Sequence, residues 1–173
     1  LGTAAKKSEE AGVDAVIVSG DRDLLQLATE KIMIRMPKTK RGVTEIENYH
    51  AQDVKDAYQV TPSQIIELKA LMGDASDNIP GVPGIGEKTA TNLIAAYGTI
   101  ENAYAHVEEI KPNRAKEALK NHYDMAKMSK ELATICLEAP LTLSFEDARL
   151  TNLYTPEAYE WCRKLNFKKL LGR

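Results

Sequence analysis

Asp74 and Asp77 sit in the run Leu-Met-Gly-Asp-Ala-Ser-Asp-Asn (71–78), which leads directly into Ile-Pro-Gly-Val-Pro-Gly-Ile-Gly-Glu-Lys (79–88). Carboxylates this close in sequence can share a hard divalent cation through their oxygens. A glycine-rich turn that opens a helix leaves backbone N–H groups free to receive an anion. Joined end to end, the two segments describe a place where metal chemistry meets a phosphodiester.

The loop itself allows several readings. Gly81, Gly84 and Gly86 alternate with Val82, Pro83 and Ile85, and Pro80 and Pro83 stiffen the turn. Ala90, Leu93, Ile94 and Tyr97 recur at spacings of three and four, which predicts a helix over 87–97 stopped by Gly98. Lys88 adds a point charge in its first turn. A nucleotide P-loop needs Gly-Lys-Ser/Thr after the four-residue spacer; here Glu87 follows Gly86 and Lys88 comes one place late. A dinucleotide fingerprint needs a third glycine where Thr89 stands, after a strand rather than a helical run. The readings left are a helix–hairpin–helix loop, which grips one phosphate strand without reading bases, and a plain tight turn.

A second acidic pair lies upstream. The β-branched run 13–19, bounded by Gly12 and Gly20, predicts a buried strand of a parallel or mixed sheet. Asp21 and Asp23 follow at its carboxyl end, where open α/β sheets collect ligands. An Asp in this place is also a common helix N-cap, a role expected of Asp23 more than of Asp21. Convergence of all four carboxylates would give an oxygen-donor site for magnesium or manganese. Two such ions would activate water and stabilise the leaving oxygen of a phosphodiester.

Residues 16–28 (Val-Ile-Val-Ser-Gly-Asp-Arg-Asp-Leu-Leu-Gln-Leu-Ala) and 68–93 carry a resemblance. The second stretch contains Gly-Asp-x-x-Asp-Asn-Ile-Pro-Gly-Val-x-Gly-Ile-Gly-x-Lys-Thr-Ala. Both are similar to segments of the 5′-nuclease (5′→3′ exonuclease) domain of bacterial DNA polymerase I, in the flap endonuclease superfamily. The similarity extends, with varying strength, over almost the whole chain. It implies an α/β, mostly helical fold. Residues 1–60 would be the C-terminal part of an α/β nuclease core, with the remnant of a PIN-like parallel or mixed sheet. Residues 61–173 would be a helical subdomain with a helix–three-turn–helix motif, of the helix–hairpin–helix type, over 63–97.

The resemblance also implies roles. Asp21, Asp23, Asp74 and Asp77 would be catalytic, as ligands of Mg2+ or Mn2+. Gly81, Val82, Gly84, Ile85, Gly86, Lys88 and Thr89 would hold the backbone of duplex DNA. The main-chain carbonyls of Gly81, Val82 and Ile85 would hold a monovalent cation such as K+. The implied activity is 5′→3′ exonuclease and 5′-flap endonuclease, in primer removal and nick translation. The implied partners are duplex, nicked or flapped DNA and a polymerase part of the same native chain. A monomer in the bacterial cytoplasm, at the nucleoid, is expected. Residues 1–11 read as the tail of a helix without a start signal. The family's early Asp, further acidic segment and basic arch have no counterpart here. The expectation is a chain that keeps the DNA-gripping element and half of the carboxylates, and is nearly inactive as a nuclease by itself.

The supporting elements follow from local patterns. Strands are expected at 31–36 and 42–46, joined by a basic loop over 37–41 that either touches DNA or is an ordinary hairpin. A helix is expected over 50–58. Thr61-Pro62-Ser63-Gln64 reads as a capping box opening a helix over 63–72, with Ile65, Ile66, Leu68 and Leu71 in the core. Thr99 caps a helix through Tyr104. One or two helices fill 112–137, marked by Leu119, Tyr123, Met125, Met128, Leu132 and Ile135 as apolar positions, and Pro140 ends the run. A last helix starts at Thr155-Pro156, with Trp161 expected in the core.

With 173 residues, 43% hydrophobic and 28% charged, the chain can bury a core. No apolar run approaches the ~18 residues of a membrane helix, and no signal-peptide pattern opens the sequence. Cys136 and Cys162 lack zinc-site spacing and are expected as reduced structural thiols. His50, His106 and His122 are scattered and read as structural or surface residues. The net charge is −2, and between 78 and 130 seven basic residues face six acidic ones. DNA binding would therefore rest on a few placed groups rather than on a basic stripe. Two function classes stay open: a metal-dependent phosphodiesterase, and a sequence-independent duplex-binding module without chemistry. A nucleotide-phosphate enzyme is the weaker third, because Lys88 is out of register.

Overall fold

Helix α1 (Gly2–Glu10) precedes strand β1 (Ala15–Val18) in the computed structural model, which describes residues 1–40 and 42–172. Strand β2 (Ile32–Lys40) pairs in parallel with β1 and antiparallel with β3 (Val43–Tyr49), giving the order β1-β2-β3. Ile17 is in register with Ile34, and both are buried. Val16 and Val18, however, are 51% and 65% exposed. The expected buried strand is therefore a short edge strand covered on one face only. Strand β2 does not end at 36 but runs on through Pro37, because β1 stops opposite Arg35 and leaves that stretch with a neighbour on one side. The basic segment expected as a loop is thus strand as far as Lys40, with Lys38 paired to Glu47 at 2.7 Å, and Arg41 lies outside the described residues.

A 3-10 helix over Arg22–Leu27 connects β1 to β2 and sends Leu24, Leu25 and Leu27 into the core. Helix α2 (Ala51–Tyr58) is capped through His50 and Asp53. Helix α3 (Gln64–Met72) is buried nearly all round, including Glu67 and Lys69, so it packs on several neighbours at once. Its capping box is half formed: Gln64 accepts the Thr61 N–H at 2.9 Å, while the Thr61 hydroxyl turns to Ser63.

Helix α4 (Glu87–Tyr97) has the expected bounds, and Gly98, at φ +80, stops it. Helix α5 (Ile100–Ala105) is capped by the Thr99 hydroxyl. The stretch after Pro112 is two helices, α6 (Asn113–Asn121) and α7 (Tyr123–Ala133), broken at His122. Helix α7 buries Ala126, Ser129 and Ala133, whereas Met128 and Leu132 are 47% and 59% exposed. Of the expected apolar markers, Leu119 is buried and Tyr123 and Ile135 pack against the core, while Met128 and Leu132 do not. Small side chains let α7 lie close against α3 where longer ones would hold it off. One core runs from Ile17, Leu25 and Ile34 in the sheet region to Leu71, Ile94, Leu119 and Ala126 among the helices.

Residues 1–141 form one unit and those after 141 another. The second contains helix α8 (Pro156–Lys164), capped by the Thr155 hydroxyl, and helix α9 (Lys168–Leu171). Trp161 is 61% exposed, with the Lys164 ammonium 5.0 Å from its ring centre, so it is not the core residue expected. Two short helices enclose too little volume for an indole. Cys136 and Cys162 are free thiols, and Cys136 is exposed beyond the end of α7. Among the described residues no helix is long and apolar enough to cross a membrane.

Candidate metal centre and phosphate-binding loop

Helix α3 ends at Gly73, whose φ of +73 no other residue type adopts at low cost. A Cβ there would fall 2.6 Å from the Ile79 carbonyl oxygen. The chain then folds back in a tight turn, closed by hydrogen bonds of 2.9 and 2.8 Å between the main chains of Asp74 and Ile79. This turn carries Asp74 and Asp77. The Ser76 N–H and hydroxyl both donate to Asp74 Oδ1, which fixes that carboxylate.

Asp23 arrives from the 3-10 helix after β1. Carboxyl oxygens of Asp23, Asp74 and Asp77 lie within 4.8 Å of one another. Asp21 is not part of this group. Its Oδ1 accepts the Asp23 N–H at 2.9 Å, so Asp21 is the cap of the 3-10 helix and Asp23 is released to the cluster. The sequence pointed the other way. A cap must precede the first turn and accept from the residue two places on, and only Asp21 stands there.

Lys69 was not anticipated. Its side chain is 6% exposed, and its ammonium bridges Asp23 Oδ1 and Asp74 Oδ2, the latter at 2.6 Å. The Lys69 ammonium, then the Ser76 hydroxyl, hold the Asp74 carboxyl well below the ordinary carboxylate range. The signal was a lysine inside an apolar run, five places before an acid. Lys69 offsets one of three negative charges, so the cluster stays anionic. Its donors are all carboxylate oxygens, without His or Cys, which suits a hard divalent ion and not a soft one.

The glycine loop is fastened to the same turn. A Cβ on Gly81 would fall 2.2 Å from the Gly73 nitrogen, so the two backbones meet where neither can carry a side chain. The Gly81 N–H donates to the hydroxyl of fully buried Ser129 at 3.0 Å, a second residue the sequence did not reveal. The Val82 N–H donates to the Leu71 carbonyl at 2.7 Å, and the Ile85 N–H to the Val82 carbonyl at 3.0 Å. The side chains of Val82 and Ile85 are buried, so these residues can meet a ligand only through their main chain. Gly84, Gly86 and Lys88 are exposed and Thr89 is half-buried. Gly86 is the N-cap of α4, whose first N–H groups have no partner within the helix. The loop and the start of α4 thus expose main-chain N–H groups beside Lys88, one short turn away from the carboxylate cluster.

Residues 60–155 match the family model described as 5′-3′ exonuclease, C-terminal SAM fold. The chain is 44% identical over 173 residues to DNA polymerase I of Bacillus caldotenax, covering all of this chain and 20% of that protein. It is 42% identical to DNA polymerase I of Bacillus subtilis (strain 168), again over the whole chain and 19% of that protein. It therefore spans about a fifth of the length of the curated relatives it matches. Among solved structures, the 5′-exonuclease of bacteriophage T5 with bound zinc superposes with a TM-score of 0.63 and 27% identity, over 76% of this chain and 48% of that one. The bacteriophage T5 flap endonuclease, in a pseudo-enzyme–product complex with DNA and metal ions, gives a TM-score of 0.65 and 26% identity over 76% and 47%.

Proposed function

The chain belongs to the 5′-3′ exonuclease family through its C-terminal SAM-fold region, and on that premise we propose that it is part of a divalent-metal-dependent 5′→3′ exonuclease and 5′-flap endonuclease acting on DNA in replication and repair. The observation that carries this reading is the junction of the two sites: the turn bearing Asp74 and Asp77 is locked to the glycine loop through Gly73 and Gly81. Asp23, Asp74 and Asp77 would hold Mg2+ or Mn2+, and Asp21 would serve by placing Asp23. Such an ion, when bound, supplies Lewis acidity and a metal-activated water for phosphodiester hydrolysis. The exposed N–H groups of Gly84 and Gly86, with Lys88 and Thr89, would hold a DNA phosphate. The carbonyls of Gly81, Val82 and Ile85 would take a monovalent cation such as K+.

Three carboxylates serve one octahedral ion better than two, so turnover by this chain alone is expected to be weak. Residues 1–60 are read as belonging to the α/β nuclease core and those from 61 as the helical subdomain; the family match beginning at residue 60 supports that boundary. The polymerase I relatives support a polymerase part in the native chain; duplex, nicked or flapped DNA as partner, a monomeric state and a place at the bacterial nucleoid are proposed with it. A second reading, a DNA-gripping module without chemistry, is favoured by Lys69, whose ammonium already occupies two of the three acids.

The division of roles is tested by measuring Mn2+ binding and duplex binding on the same variants. Asp74→Asn combined with Asp77→Asn removes Mn2+ binding and spares duplex binding. Lys88→Ala does the reverse. Equal loss of both in both variants contradicts the assignment.

A further inference from the structure

Between Asn78 and Lys130 the basic side chains fall into two groups. Lys116 and Lys120 pair with Glu108, Lys127 with Asp124, and Lys130 with Glu67 and Glu101. Lys88, Lys111 and Arg114 make no ion pair among the described residues. Of these three, Lys88 and Arg114 stand next to the glycine loop, and Lys111 lies along the flank of α4. Lys88 is in the first turn of α4, and Lys111 lines a hollow with Thr89 and Asn92 of the same helix. Arg114 reaches over from α6: a Cβ on Gly84 would sit 3.7 Å from its Nε and 3.8 Å from its Nη2.

Two features of α6 bear on the Arg114 guanidinium. Ala115 and Leu119 are buried and fix the helix, leaving Arg114 exposed beside the loop. The first turn of α6 contains no acidic residue, so a permanent positive charge stands at the positive end of the helix dipole. That arrangement is unfavourable without a nearby anion, and among the described residues no carboxylate forms an ion pair with Arg114. Guanidinium is also the group best suited to grip a phosphate through two N–H donors.

We propose that Arg114 is a DNA-phosphate ligand, so that α6 forms a second wall of the backbone site opposite Lys88. This rests on the loop being a DNA-binding element. A bound phosphodiester would then be held between the Gly84–Gly86 backbone, Lys88 and the Arg114 guanidinium, with no base contact, and the site would be blind to sequence.

The test is fluorescence anisotropy of a labelled duplex with a 5′ flap, titrated with the 173-residue chain in chelator over a range of salt concentrations. Arg114→Ala weakens binding several-fold and reduces the slope of log affinity against log salt by about 0.9, one phosphate contact. Arg114→Lys keeps the slope. Lys120→Ala, which removes a cation already paired with Glu108, leaves affinity and slope unchanged. Should Arg114→Ala lower the melting temperature, Arg114→Gln preserves the packing and gives the same loss of slope. Wild-type binding with an unchanged slope in both neutral variants overturns the role of Arg114 and leaves the loop reading intact. Absence of any binding by the folded wild-type chain overturns both.

Discussion

Gly73 and Gly81 touch backbone to backbone, so that a Cβ on Gly81 would lie 2.2 Å from the Gly73 nitrogen and 2.7 Å from its Cα. This contact makes the carboxylate-bearing turn and the glycine loop parts of one hairpin. Gly81→Ala adds a methyl group at φ +62 in a space that does not exist. The conformational and overpacking costs together come to about 3 kcal/mol or more. The expected result is a much lower urea midpoint and concurrent loss of Mn2+ and duplex binding. A variant that keeps wild-type stability would mean the two segments are free to separate.

Ser129 anchors the loop from beneath. Ser129→Ala leaves the buried Gly81 N–H without an acceptor, a loss of about 1–3 kcal/mol. Duplex binding should weaken, because the loop is no longer held in its bound shape, while Mn2+ affinity stays near wild type. Calorimetric Mn2+ titration beside a urea melt reads both. A matching fall in metal affinity would show that Ser129 supports the whole hairpin rather than the loop.

Lys69 sets the electrostatics of the acid cluster. The folded-state pKa of Asp74 is depressed, chiefly by Lys69. Its contribution to stability is therefore complete above the unfolded Asp value of about 3.9 and is lost as pH falls below it toward the folded value. In chelator, Lys69→Met should lower stability at neutral pH, by leaving Asp23 and Asp74 unneutralised, and should reduce that acid-side loss to what the Ser76 donors supply. Mn2+ should bind the variant several-fold more tightly and restore its melting temperature. Metal affinity that falls instead would mean Lys69 orients the ligands rather than competing with the ion.

Much of this arrangement could be read from the chain, and the rest could not, for a physical reason. Helix α4, its stop at Gly98 and the caps at Thr99 and Thr155 rest on neighbours within four residues, and all stand where local rules put them. The pairing of Asp23 with Asp74 and Asp77 was within reach because both acidic pairs lie at ends of legible elements. Lys69 meets Asp23 across 46 positions and Ser129 meets Gly81 across 48, so no window of sequence contains either contact. Met128 and Leu132 of α7 were misplaced because they carry more apolar area than Ala126 and Ser129. Close approach to α3 selected the small residues. Trp161 was assigned to a core that its own unit is too small to form.

The most direct measurement is a titration of a labelled 5′-flap duplex with the 173-residue chain in magnesium, reading binding and cleavage in the same samples. The account predicts salt-sensitive binding, lost in Lys88→Ala, with little cleavage. Any cleavage should disappear in chelator and in the double variant Asp74→Asn, Asp77→Asn. A folded chain that fails to bind the duplex, or cleavage that survives loss of both carboxylates, would contradict it.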